Sequence, residues 1–218
     1  MKKNYLVEVK NCYNLTAKEY SQNFLDELSS KPFDRNILDR FSEMIPKNSL
    51  VYDLGCGSGQ TTKYLFDKNR FKVIGLDFAE KSVALAKKNF PQIEFKVDNM
   101  LYSKMLSSSA DGILAFYSIV HFNYKDVKIA FNEWYRLLKS GSSCLFSFHI
   151  GDEIIKVKNF LEVKGANASW RFMDTDKIIV LIEKVGFKVC EAIIRYPYKE
   201  NEHKSKRAYI LVKKEKAT

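Results

Sequence analysis

Cysteine is scarce and unpaired in this chain: Cys12, Cys56, Cys144 and Cys190 stand far apart, and no two form a CxxC pair. That spacing offers neither a zinc site nor a disulfide framework, so no metal is expected and a reducing cytoplasm is the plain reading. Proline and glycine are also few, at 4 and 9 of 218 residues, while hydrophobic residues make up 46%. Disordered, collagen-like and fibrous classes are excluded on those grounds. No run reaches the roughly 18 apolar residues of a membrane span. The opening Met1-Lys2-Lys3-Asn4-Tyr5 is basic but lacks the apolar stretch of a secretory leader. Repeats and low-complexity segments are absent too, and the length suits a single domain over 1–218 with a full core.

Acidic residues fall short of basic ones, 26 against 36, for a net charge of +10. A surface for RNA, membrane or an acidic ligand would account for that excess. The lysines are spread along the whole chain, however. The dense runs are His203-Lys-Ser-Lys-Arg207, in an expected turn, and Lys213-Lys-Glu-Lys216, in an expected tail. A generally solvated surface is the favoured reading.

What is present is an alternation of apolar strand-like runs and amphipathic stretches from residue 50 to about 150, as in an α/β parallel sheet. Strands are expected at 50–54, 71–76, 93–97, 112–116 and 143–150. The spacing of Val127, Ala130, Phe131, Trp134, Leu137 and Leu138 predicts a helix over 125–139, stopped by Gly141. Further helices are expected at 31–45, 80–89 and 175–185, with a helix or ordered cap over 10–30. Two final strands, 187–196 and 207–213, read as a hairpin with antiparallel pairing. Residues 151–174 have no clean periodicity and are long for a connection, which suggests a lid.

The chemistry sits at Val51-Tyr-Asp-Leu-Gly-Cys-Gly-Ser-Gly59. Glycines on alternate positions let the backbone turn after a strand and approach a ligand closely. A dinucleotide site wants G-x-G-x-x-G, but Gln60 stands where its third glycine belongs; no Gly-Lys-Ser/Thr follows for a P-loop. Asp53, inside the strand, would repel a pyrophosphate. Asp77 ends the next strand, twenty residues past Gly57, where a carboxylate can accept both ribose hydroxyls. Asp98, at the third strand's end, could accept from an adenine amino group, with Met100 or Phe78 packed on the ring.

The runs VYDLGCGSGQTTKYL, GLDFAEKSVALAKKN, FKVDNM and DGILAFYSIVHF together closely resemble the class I S-adenosylmethionine-dependent methyltransferases. The small bacterial and archaeal enzymes of the ubiquinone/menaquinone-methylase-like type are the nearest in pattern, and the likeness runs from about Tyr13 to the end. The resemblance implies a Rossmann-like three-layer sandwich: a seven-stranded, mostly parallel sheet, one antiparallel strand near the C-terminus and helices on both faces. It implies S-adenosyl-L-methionine as cofactor, leaving S-adenosyl-L-homocysteine as product. Gly55, Cys56, Gly57 and Gly59 would hold the methionine portion. Asp53 would order the loop and face the ammonium group, and Asp77 would take the ribose. Phe78, Asp98, Asn99 and Met100 would form the adenine pocket, and Phe116 and Tyr117 would line the sulfonium end. Tyr13-x6-Tyr20 resembles a segment that relatives fold over the cofactor, with Tyr20 the contact, so 1–46 reads as an N-terminal helical cap.

Methyl transfer from a sulfonium needs an acceptor held in line and water excluded; a base is needed only if the acceptor arrives protonated. His121 is the candidate base, and His149 is a candidate lining of the acceptor pocket. Residues 151–174, with Trp170, Arg171 and Phe172, form the candidate lid, to which Tyr117, Tyr124 and Arg195 could add. Aromatics beside an arginine suggest a small, partly apolar or anionic acceptor. The alternatives are an RNA or protein methyltransferase using the positive charge, or a non-catalytic protein that only binds the cofactor. The acceptor's identity and the oligomeric state stay open at this point.

Overall fold

A computed structural model describes residues 4–198 and 202–216; the basic start at residues 1–3 lies outside them. Seven strands form one sheet in the order β3-β2-β1-β4-β5-β9-β8. They are β1 (Leu50–Leu54), β2 (Lys72–Asp77), β3 (Glu94–Val97), β4 (Ala110–Ala115), β5 (Leu138–His149), β8 (Phe187–Arg195) and β9 (Arg207–Lys214). Strands β1 to β5 run parallel, and β9 lies antiparallel between β5 and β8. This is the expected three-layer α/β arrangement. The order reverses between β1 and β4, so the crevice beyond their C-terminal ends is where such a sheet places ligands.

Alternation along the strands divides the core in two. Val51, Val73, Leu114 and Leu145 face α2 (Pro32–Met44), meeting Ile37, Leu38 and Phe41. Leu54, Ile74, Ile113 and Phe146 face the other side, where α5 (Tyr124–Leu137) and α6 (Thr175–Glu183) supply Phe131, Trp134, Ile178 and Ile182. Asn123 and Asp174 cap these two helices by accepting from the backbone N–H of Asp126 and Lys177. The remaining helices are α3 (Gln60–Phe66) and α4 (Glu80–Asn89), together with α1 (Asn4–Phe24), whose Val9 and Cys12 are buried.

Two expectations are corrected. Gly141 does not stop α5; the helix ends at Leu137 and the chain enters β5 directly at Leu138. Gly141, at φ +83°, lies instead in a bulge where β5 inserts extra residues between its partners of Ala110 and Gly112. A left-handed turn inside a strand is a place for glycine as much as a helix end is. Second, residues 151–174 contain a two-stranded antiparallel sheet, β6 (Ile154–Val157) with β7 (Ala168–Arg171). Its apolar contacts are made to α1, where Ala166 and Ala168 join Val9 and Cys12. Packing on a distant helix, rather than on a flat sheet, leaves no simple alternation in the sequence.

Candidate functional site

The cleft opens at the C-terminal ends of β1, β2 and β4 and encloses about 1010 Å³, counted to its open mouth. Its floor is the glycine loop. Gly55 (φ +78°) and Gly57 (φ +54°) take left-handed conformations, and the N–H groups of Gly55 and Cys56 both donate to Leu76 O, at 2.7 and 3.1 Å. A Cβ on Gly55 would lie 2.4 Å from Ser118 Cβ, so the loop and the end of β4 can approach only without one. Cys56 is buried, its thiol pushed well up by desolvation, which makes it a small packing residue and no nucleophile.

Two carboxylates organise the loop from different sides. Asp77 accepts from Gly57 N–H at 3.0 Å and from Ala79 N–H at 2.8 Å, joining the loop to the start of α4. Burial raises its pKa against the pull of those donors. Asp53 is 1% exposed and sits behind the loop, outside the cleft lining. There it accepts from the hydroxyls of Thr61 and Thr62, both at 2.7 Å, and desolvation pushes its pKa up to about 6. Gly59 is also turned away: at φ +91° it caps α3, and a Cβ there would meet Phe95 and Phe90.

The cleft brings together Tyr20, Gly55, Cys56, Gly57, Asp77, Phe78, Asp98, Asn99, Met100, Phe116, Tyr117 and His121. Asp98 accepts from the N–H of Asn99 at 2.9 Å and of Lys104 at 3.1 Å, and from the Ser103 hydroxyl. Tyr117 is in the left-handed region at φ +50°, rare for a bulky side chain and a mark of strain held at a site. Its N–H donates to Ser147 Oγ at 3.0 Å, and its hydroxyl lies 2.7 Å from that of Tyr209.

His121 is 6% exposed. Its Nδ1 lies 2.9 Å from Ser169 O on β7 and its Nε2 3.0 Å from the hydroxyl of Tyr13. Burial pulls its pKa down to about 4. His149 falls outside the cleft lining, between the rings of Tyr117 and Phe172 at 5.3 and 5.4 Å. Arg195 is committed elsewhere: its guanidinium pairs with both oxygens of Glu202, at 2.8 and 2.7 Å, and donates to Tyr209. Tyr124 accepts from Asp174 N–H at 3.0 Å, and Trp170 packs on His121 at 5.3 Å.

Sequence reasoning passed over Leu6, Val9, Glu27, Thr61 and Phe122, which also line the cleft, as does Ser118, which follows Phe116 and Tyr117 in the stretch expected at the sulfonium end. Glu27 carried one signal, its i,i+4 spacing to Lys31 just ahead of a proline-initiated helix. Leu6 and Val9 reach the cleft only because α1 crosses it, which no local pattern reveals.

A mostly parallel sheet of this order, with β9 antiparallel between β5 and β8 and with a glycine loop and a strand-end carboxylate at its switch point, has the Rossmann-like class I methyltransferase fold. Residues 51–141 match the family model described as a methyltransferase domain. The chain is 30% identical over 132 residues to protein 235L of Invertebrate iridescent virus 6, named as a presumptive methyltransferase, covering 60% of this chain and 46% of that protein. It is 30% identical over 107 residues to the demethylmenaquinone methyltransferase of Chlamydia caviae, covering 49% and 46%. The chain thus spans about half the length of the curated relatives it matches. Among solved structures, geranyl diphosphate C-methyltransferase from Streptomyces coelicolor A3(2) superposes with a TM-score of 0.74 at 11% identity, covering 98% of this chain and 100% of that one. A SAM-dependent methyltransferase from Methanosarcina mazei gives 0.71 at 16% identity over 80% and 96%. Residues 51–141 carry a methyltransferase domain, and the relatives and solved structures together support a class I S-adenosylmethionine-dependent methyltransferase.

Proposed function

We propose that this chain transfers a methyl group from S-adenosylmethionine to a small-molecule acceptor, acting as a single domain over 1–218. The observation that carries the reading is the pairing of the Gly55–Gly57 loop with Asp77 across one cleft. Two further features fit that ligand. A Cβ on Gly57 would project to 3.6 Å from Tyr20, into space a ligand needs, and Ser118 Oγ is buried on the same wall without a partner. The bound donor supplies an activated methyl on a positively charged sulfur.

Asp77 accepts the ribose hydroxyls through its remaining lone pairs, while Phe78, Asp98, Asn99 and Met100 surround the adenine. The backbone at Gly55, Cys56 and Gly57 follows the methionine portion, with Tyr20 closing over it and Phe116 and Tyr117 at the reacting end. Asp53 and Gly59 act by shaping the loop and α3. Residues 1–46 serve as the cap and 151–174 as the lid, which His121 joins to the cap. A small acceptor is supported by a cleft that Leu6, Val9, Tyr13, Tyr20 and Glu27 of the cap help to enclose, and by one structural relative named for geranyl diphosphate and another solved in complex with phosphomonomethylethanolamine. Among the described residues no helix is long and apolar enough to cross a membrane. The four free cysteines are consistent with a cytoplasmic setting.

Incubation with methyl-labelled donor and a deproteinised metabolite extract tests the reading. Label should appear in a low-mass product with release of S-adenosylhomocysteine. Label confined to added RNA or protein would favour the macromolecular alternative instead.

A further inference from the structure

Near Tyr117 stands a charge pair that the cofactor assignment leaves unused: Glu27 lines the cleft, and Lys31 pairs with it from outside the lining. Glu27, in the 3-10 turn between α1 and α2, accepts from Gln60 Nε2 at 3.1 Å through Oε1 and from Lys31 Nζ through Oε2. Both side chains are withdrawn from water, 21% and 14% exposed. The ammonium of Lys31 also lies 6.0 Å from the Tyr117 ring centroid, and its charge helps hold down the pKa of His149. One cation is therefore held behind the cleft wall, 6.0 Å from the Tyr117 ring centroid, and its counter-ion is a carboxylate that itself lines the cleft. Ser118 Oγ, partnerless, is on the neighbouring wall.

The groups in the cleft that could take up a proton are already engaged. Both His121 nitrogens are bound. Asp77 is bound by two backbone N–H groups, and Asp98 by two more and a hydroxyl. Glu27 holds Gln60 and Lys31. Burial pushes the hydroxyls of Tyr13, Tyr20 and Tyr117 well up, away from proton release. A cleft arranged in this way suits a nucleophile that arrives without a proton to lose.

We propose that the acceptor is a small carboxylic acid, held as its carboxylate by Lys31 beside Tyr117 and Ser118 and methylated on a carboxylate oxygen. The proposal rests on the methyl-transfer reading above. Glu27 releases Lys31 by taking the positively charged amino group of the bound donor, so the donor binds first and the acceptor second. The carboxylate oxygen forms a bond to the methyl carbon as the carbon–sulfur bond breaks. The electron pair of that bond stays on sulfur, no proton moves, and the product is a neutral methyl ester. A neutral ester no longer pairs with Lys31, which favours its release.

The test uses the full chain in two arms. In the first, the low-mass product labelled from methyl-labelled donor is treated with mild alkali. Release of the label as methanol is expected. Label that resists alkali, as an N-, S- or C-methyl group or a phosphate methyl ester would, overturns the proposal. In the second, Lys31→Met should raise KM for the ester-forming acid about tenfold or more. It should not weaken S-adenosylhomocysteine binding by calorimetry, because Lys31 no longer competes for Glu27, while Lys31→Arg restores KM. Glu27→Gln should weaken S-adenosylhomocysteine binding about tenfold. An unchanged acceptor KM in Lys31→Met contradicts the assignment, as does wild-type protein that binds S-adenosylhomocysteine yet labels no acid. Wild-type protein that neither binds it nor labels anything removes the methyl-transfer reading instead.

Discussion

The hydroxyl of Tyr13 lies 3.0 Å from Nε2 of His121, while the carbonyl of Ser169 meets Nδ1 at 2.9 Å. A carbonyl only accepts, so Nδ1 carries the proton and Tyr13 donates to the lone pair of Nε2. The imidazole thereby joins α1, the loop after β4 and strand β7. Both ring nitrogens are engaged, one with α1 and the other with β7. Tyr13→Phe would leave Nε2 buried and unsatisfied, costing about 1–3 kcal/mol. Urea unfolding measures this, and an unshifted midpoint would show that the contact carries no load.

Acid should weaken the fold through the same histidine. Burial holds His121 near 4 and His149 near 3, against an ordinary 6.5. The unfolded chain therefore binds more protons below pH 6.5, so stability is present above that value and is lost as pH falls through the folded pKa values. For His121 alone the loss is about 3 kcal/mol. Asp53 acts in the opposite direction: its folded pKa, raised to about 6, makes the fold less stable as pH rises from about 4 to 6. Urea midpoints measured between pH 7 and 4 should fall with acid, less steeply in His121→Gln and more steeply in Asp53→Asn. Parallel profiles for all three proteins would contradict these assignments.

On the proposed reading, cofactor binding turns on Asp77. Asp77→Ala removes the acceptor for two backbone N–H groups and, with it, the carboxylate proposed for the ribose. Affinity for S-adenosylhomocysteine should fall about 100-fold, or roughly 3 kcal/mol. Calorimetry reads this directly. An unchanged affinity would remove Asp77 from the site.

Glycine is required at one left-handed position more than at another. Gly55 has φ +78° and no room, since its Cβ would stand 2.4 Å from that of Ser118. Gly165 has φ +82° but nothing within 4 Å. Gly165→Ala should therefore cost only about 1 kcal/mol of backbone strain. Gly55→Ala adds overpacking of about 1–3 kcal/mol and lowers S-adenosylhomocysteine affinity. Equal thermal shifts for the two variants would show that the contact with Ser118 relaxes freely.

How much was legible varied with the range of the interactions. Strand β1 and helix α4 begin and end where local patterning placed them, because apolar alternation and helical spacing are written in adjacent residues. Gly141 misled because a left-handed glycine serves a bulge as well as a helix end, and only the pairing of β4 with β5 decides which. The β6–β7 pair was missed because its burial is set by α1, far away in sequence. At the site, the strand-end residues Asp77 and Asp98 could be found from spacing alone. The Tyr13–His121 contact joins residues 108 apart, and the role of Glu27 depends on Gln60, 33 residues on. Those partnerships have no local signature.

The central claim is that the cleft is built for S-adenosylmethionine, and titration calorimetry tests it most directly. Wild-type protein should bind S-adenosylhomocysteine saturably at one site per chain and give no heat with NAD, and Asp77→Ala should lose most of that affinity. Saturable binding of NAD with no response to S-adenosylhomocysteine would contradict it.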